Sequence, residues 1–133
     1  MFNLWPLLIY RDKEQPYEKK IEPKKKHDVW GIDFLNLLLF GVYFRICVVY
    51  DLFSQPYLSI QPACYATYAV AQQALQQACE YSGQIPEKCL SSDRGKQFSC
   101  YSFEETKNEL KIKSPQPGEK YRATWVPIDY FCL

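Results

Sequence analysis

The feature that most constrains this chain is the run FLNLLLFGVYFRICVVYDLF at residues 34–53. Extended back to Trp30, it gives 24 residues that are apolar almost all round. As an α-helix it would rise about 36 Å, enough to cross a hydrocarbon core of about 30 Å with some tilt. Trp30 at one end and Tyr50 and Tyr57 near the other suit the interfacial levels where aromatic rings collect, and Asp33 and Asp51 fall close to the ends, within reach of water or headgroups. A buried helix of a small soluble domain is the competing expectation. A chain of 133 residues has little mass with which to cover such a helix on every side. The sequence therefore predicts a single transmembrane helix over residues 30–53.

Arg45 needs a partner in that setting. A cation at mid-span costs about 2.5–3.5 kcal/mol on insertion scales. Eight residues from Phe53, its guanidinium can snorkel outward to a phospholipid phosphate, or meet a carboxylate or carbonyl of a neighbouring helix. Gly41 lies one turn before Arg45 and would let that helix come close. Seven Lys/Arg residues precede the span, Lys24, Lys25 and Lys26 among them, and none follows Arg45 until Lys88. That asymmetry places the N-terminus on the side where insertion starts, the mitochondrial matrix or the cytosol. The run 24–26 is a solvated face or a contact for anionic lipid headgroups.

The rest of the chain divides around the span. Residues 1–29 read as an apolar anchor, with no cleavable leader, followed by a charged connector broken by Pro16 and Pro23. Residues 54–113 form a cysteine-containing helical region. Within it, 63–81 is rich in Ala and Gln, and Gly83 stops the helix; a shorter helix is expected over 103–112, with Ser102 and Glu105 at capping-box spacing. Residues 114–133 form an extended tail whose Tyr121, Trp125, Tyr130 and Phe131 suit docking on another surface. The predicted class is mainly α: one transmembrane helix, a small helical hairpin and an aromatic C-terminal tail.

Six cysteines are many for this length. Cys47 is an apolar filler inside the span. If the 63–81 helix turns back over 82–88, Cys79 and Cys89 face each other near the turn, and Cys64 and Cys100 can meet further along. Two such bridges would each contribute about 2–4 kcal/mol to a hairpin with little core. The nine residues between Cys79 and Cys89, and the ten between Cys89 and Cys100, resemble the spacings of the coiled-coil-helix-coiled-coil-helix twin-cysteine proteins of the mitochondrial intermembrane space. The resemblance covers residues 64–100 and implies nested bridges in an oxidising compartment. Cys132 is free, paired within the chain or joined to a partner.

No motif names an activity. C-x-x-C and close zinc-ligand spacing are absent, as are nucleotide and metalloprotease fingerprints, so no metal, cofactor or catalytic residue is expected. His27 reads as a solvated connector residue. Glu104, Glu105 and Glu109 with Lys107, Lys111 and Lys113 read as a charged exposed face. A net charge of +1 gives no field to attract nucleic acid, which is not an expected partner. Together these readings predict a non-catalytic accessory subunit of a mitochondrial inner-membrane complex. The respiratory chain is the first expectation and the ATP synthase the second. Its N-terminus would lie in the matrix and its C-terminus in the intermembrane space, and its partners would be other membrane subunits. The alternatives are a type II membrane protein of the secretory pathway and a thiol-handling enzyme or import factor.

Overall fold

The structure, a computed structural model, describes residues 19–54, 56–93 and 95–122. It overturns the mainly α expectation: strands account for 37% and helices for 28% of it. Among the described residues no helix is long and apolar enough to cross a membrane. The single-pass inner-membrane placement, and the accessory-subunit role that depended on it, lose their basis.

The supposed span is a β-hairpin. Strand β2 (Val29–Leu39) pairs antiparallel with β3 (Val42–Asp51), from Trp30 opposite Asp51 to Leu39 opposite Val42. The two residues between them, Phe40 and Gly41, have φ of 52° and 75°. Positive φ at both central positions defines the two-residue turn whose twist matches a right-twisted strand pair. Gly41 is therefore a turn glycine and not a helix-contact site. VYFRICVVY is β-branched and aromatic, which favours a pleated surface over a helix. The run looks continuous because, near Trp30, the sheet is covered on both faces: Val29, Trp30, Gly31 and Ile32 are all buried. A strand buried on both sides carries no alternation to distinguish it from a buried helix.

β3 pairs on its other side with β4 (Tyr57–Ala63), and β2 pairs in parallel with β5 (Cys89–Ser92), giving the strand order β4-β3-β2-β5. A separate parallel pair joins β1 (Lys19–Ile21) to β6 (Glu119–Tyr121). Helix α1 (Tyr68–Ser82) crosses between β4 and β5. Its first turn is capped by the Thr67 side chain, which accepts from the Val70 amide, and Gly83 ends it at φ 70°. The chain on its N-terminal side, through Pro62, belongs to β4 and not to the helix.

The core lies between α1 and one face of the sheet. Trp30 and Ile32 of β2 and Cys47 and Val49 of β3 meet Ala71, Ala74, Leu75 and Ala78 of α1. Three alanines on that stripe let the helix axis approach the strands closely. Short α2 (Lys96–Ser99) and α3 (Tyr101–Glu109) close the core with Phe98 and Phe103, whose ring centroids are 5.6 Å apart. Gln72 of α1 donates to the Ser102 carbonyl and the Thr106 hydroxyl, tying α1 to α3. Lys107 is not on an exposed charged face: it is 4% exposed, with Nζ on Ser114 Oγ and 3.5 Å from Glu104 Oε1.

The disulfide staple is corrected as well. Cys47, Cys64, Cys79, Cys89 and Cys100 are all free thiols. Cys79 packs against the α1-side core, whereas Cys89 packs with Val29 and Leu52 on the opposite face of the sheet, so the sheet itself separates them. Burial pushes the Cys47 thiol up to about 12 and the Cys89 thiol up to about 11. Alkylating reagents attack the thiolate. At pH 8, iodoacetamide is expected to modify exposed Cys64 while Cys47 and Cys89 stay unmodified until denaturant is added; peptide mass mapping reads the difference.

Candidate functional site

Two carboxylates, Asp33 and Asp93, stand next in sequence to the last paired residues of the β2–β5 ladder. Ile32 stands beside Ser92 in the parallel register, so the next residues along, Asp33 and Asp93, follow on neighbouring strands. Side chains alternate with a period of two. Val29, Gly31 and Asp33 therefore share a face with Cys89 and Ser91, because Val29 and Cys89 are register partners in one cluster, and Asp93 is the first residue after β5 ends. This is the face opposite α1. β5 stops at Ser92 whereas β2 continues to Leu39, so the carboxylates mark a step in the sheet edge, at the carboxyl end of β5. In open sheets with helical crossovers, ligands bind outside the carboxyl ends of strands.

The local sequence fixes each group. Tyr50, the register partner of Gly31, donates its hydroxyl to Asp33 Oδ2 at 2.7 Å. A Cβ on residue 31 would lie 2.5 Å from the Tyr50 ring. Glycine is what allows the ring to lie across β2 and reach the carboxylate. Asp93 is exposed, and its Oδ1 accepts from the Gly95 amide at 2.8 Å, holding the turn into α2. Gly31→Ala is expected to cost about 1–3 kcal/mol in urea unfolding through overpacking. Combined with Tyr50→Ala it should cost less than the sum of the two, because the clash has gone.

The other sequence candidates are scattered. Arg45 is exposed and opposite Asn36, with its Nε donating to Asn36 Oδ1 at 3.2 Å. Its expected lipid or helix partner is replaced by a cross-strand amide. Lys24, Lys25 and Lys26 lie in the turn before β2, where Lys25 Nζ pairs with Glu87 at 2.7 Å. Tyr121 packs against Val29, Leu52 and Cys89. Trp125, Tyr130, Phe131 and Cys132 lie outside the described residues.

His27 is no solvated connector. Its Nδ1 accepts from Trp30 Nε1 at 3.1 Å, and its amide donates to Asp51 Oδ2 at 2.6 Å. The 3.9 Å approach of Nδ1 to Asp51 is no ion pair, since that nitrogen is already an acceptor. Asp51, wholly buried, also accepts from the Phe53 amide at 2.8 Å.

Sequence reasoning missed Asp33 and Asp93 as a site. The available signals were a carboxylate inside an apolar run and the polar segment SSDRG, whose two serines end β5. Nothing in the sequence joined the two.

Asp33 and Asp93 supply hard carboxylate oxygens at a solvent-facing step. Mg²⁺ is bound by such a set, one or two carboxylates with waters and substrate phosphates completing the octahedron. The donor chemistry fits that ion. Among the described residues no group of three or more His, Cys, Asp or Glu is placed to hold a metal ion, so the pair of carboxylates stands without a third such ligand.

No family model matches the chain, and no curated protein matches it in sequence. Solved structures do match in fold. A chain of the simian T-cell lymphotropic virus intasome in complex with PP2A regulatory subunit B56 gamma superposes with a TM-score of 0.62 at 17% identity, over 89% of this chain and 40% of that one. The HTLV-2 integrase catalytic core domain in complex with magnesium superposes in its dimeric form with a TM-score of 0.59 at 20% identity. In its trimeric form the TM-score is 0.58 at 21% identity. These two cover 74% and 75% of this chain and 64% of their own. The chain thus spans less than two thirds of the length of each of these neighbours. The shared fold, with the strand pairing of residues 30–53, replaces the membrane-subunit expectation.

Proposed function

We propose that this chain carries the carboxylate centre of a magnesium-dependent phosphoryl-transfer core acting on a polynucleotide. The observation that carries the reading is the β2–β5 register, which puts Asp33 and Asp93 each directly after the last paired residues, Ile32 and Ser92, at the carboxyl end of parallel strands. The fold likeness to integrase catalytic cores, one of them in complex with magnesium, supports it. The reading departs from the sequence expectation of a non-enzyme without a nucleic-acid partner.

In this reading Asp33 and Asp93 hold Mg²⁺. When bound, the ion neutralises charge on a phosphodiester and polarises its oxygens. Tyr50 orients the Asp33 carboxylate through its hydroxyl, and Gly31 makes room for that ring. Gly95 holds Asp93 at the strand end, so the two carboxylates are positioned before any ligand arrives, as electrostatic catalysis requires.

The experiment is cleavage of an end-labelled DNA duplex by the full chain in Mg²⁺, in Ca²⁺ and in EDTA. Product formation in Mg²⁺ that EDTA abolishes supports the reading. No Mg²⁺-dependent product across a range of duplex ends, together with no Mg²⁺ binding by calorimetry, overturns it.

A further inference from the structure

Arg45 has a role left to assign. Its Nε is fixed by Asn36, and among the described residues no carboxylate pairs with its guanidinium. It lies in a groove of about 600 Å³ at the distal end of the hairpin, on residues that the carboxylate site does not use. The register gives the groove its floor. Arg45 is flanked by Asn36 on β2 and Ala63 on β4. Tyr43 stands two residues nearer the hairpin tip, opposite Leu38, and Tyr65 lies two residues past Ala63. Alternation puts Asn36, Tyr43 and Arg45 on the face opposite Asp33. Tyr43 is 65% and Tyr65 74% exposed, so both rings are open to a ligand.

A fixed guanidinium with a free planar edge suits a phosphate, which it can meet with two parallel N–H donors. Exposed tyrosines beside it suit a flat, unsaturated ring system. An anion joined to a planar base is a nucleotide, and a base face is open for stacking only in an unpaired strand. An open groove of about 600 Å³ has room for a nucleotide.

We propose that this groove binds one nucleotide unit of a single-stranded nucleic acid, with Arg45 on the phosphate and Tyr43 and Tyr65 against the base. The choice of a polynucleotide over other anions rests on the phosphoryl-transfer reading. The groove then acts as a holding site for a strand end on the side of the sheet away from the carboxylates.

The test is fluorescence anisotropy of a labelled oligothymidylate of about twelve nucleotides, within the site sizes of such proteins, at low salt with the full chain. Arg45→Ala and the double variant Tyr43→Ala/Tyr65→Ala should each weaken binding at least about tenfold, the scale of one lost stacking or phosphate contact. Arg45→Lys should fall between, because it keeps the charge and loses the fork. Tyr65→Ala, outside any strand, is read alone if a strand variant fails to fold by circular dichroism. Tyr81→Ala should bind like wild type, since that exposed ring of α1 belongs to neither the groove nor the carboxylate pair. Absence of saturable binding, or variants within about twofold of wild type, a difference well short of one lost contact, overturns the proposal. So does Arg45-dependent capture by phosphatidylglycerol vesicles without oligonucleotide binding. Arg45-dependent binding by a chain that neither cleaves DNA nor binds Mg²⁺ would retain the groove and sink the phosphoryl-transfer reading.

Discussion

On the phosphoryl-transfer reading, Asp33→Asn and Asp93→Asn are each expected to lower Mg²⁺-dependent DNA cleavage by at least about a hundredfold while leaving the fold intact. Removing one of two carboxylates proposed to hold the metal would forfeit a contribution of several kcal/mol to transition-state charge stabilisation, and each 1.36 kcal/mol is about tenfold in rate. The fold survives because the substitution is isosteric. An asparagine at position 33 still offers the Tyr50 hydroxyl an amide oxygen in place of Asp33 Oδ2. An asparagine at position 93 can likewise still accept from the Gly95 amide. A second measurement separates metal loss from misfolding. Mg²⁺ at about 100 times its Kd should stabilise the wild type by about 2.7 kcal/mol, visible as a rise in Tm. Either variant should lose that rise. A variant with wild-type cleavage would remove its aspartate from the site.

Trp30→Ala is expected to be the most destabilising single change, about 3–5 kcal/mol for a buried large aromatic. The indole is 0% exposed, in the α1-side core with Ile32, Leu75 and Leu90. It is also a polar link: its Nε1–H donates to His27 Nδ1, and the His27 amide in turn donates to buried Asp51. Losing the indole leaves a cavity above β2 and strips His27 Nδ1 of its donor, a further cost of about 1 kcal/mol. Small domains are stable by about 5–15 kcal/mol, so the loss takes a large share of the total. Urea unfolding of the wild type, Trp30→Phe and Trp30→Ala should give ordered midpoints, with Phe between the two because it keeps volume and loses the donor. Equal midpoints for wild type and Ala would contradict the placement of Trp30 in the core.

The mistake over residues 30–53 has a specific physical origin. Hydrophobicity summed along a segment reports that the segment is buried, but not by what. Val29 to Ile32 are buried because α1 covers one face of the sheet while Leu52, Cys89 and Tyr121 crowd the other. Lipid would have produced the same string. The contradiction was already present in Arg45 and Asn36, two polar groups nine residues apart, which is an unhelpful spacing on a helix but opposite positions across a two-residue turn. The cysteine spacings misled for a related reason: a separation of nine or ten residues carries a pairing only if both ends sit on helices, and Cys89 sits on a strand.

What the sequence determined by itself was local. Gly83 as the end of α1 follows from a residue that tolerates positive φ, whereas Phe40-Gly41 as a turn and Thr67 as the cap of α1 were hidden by the apolar run and by the helical reading of 63–67. What only the tertiary structure decided was long-range. Asp33 and Asp93 are far apart in the chain, and they come to the same end of the ladder because β5 enters beside β2 in one particular register. A slip of a single residue would put them out of step, and no preference local to either aspartate sets that register. It is set by burial of Leu90 under α1 and of Cys89 against Val29, contacts that exist only once the sheet has formed.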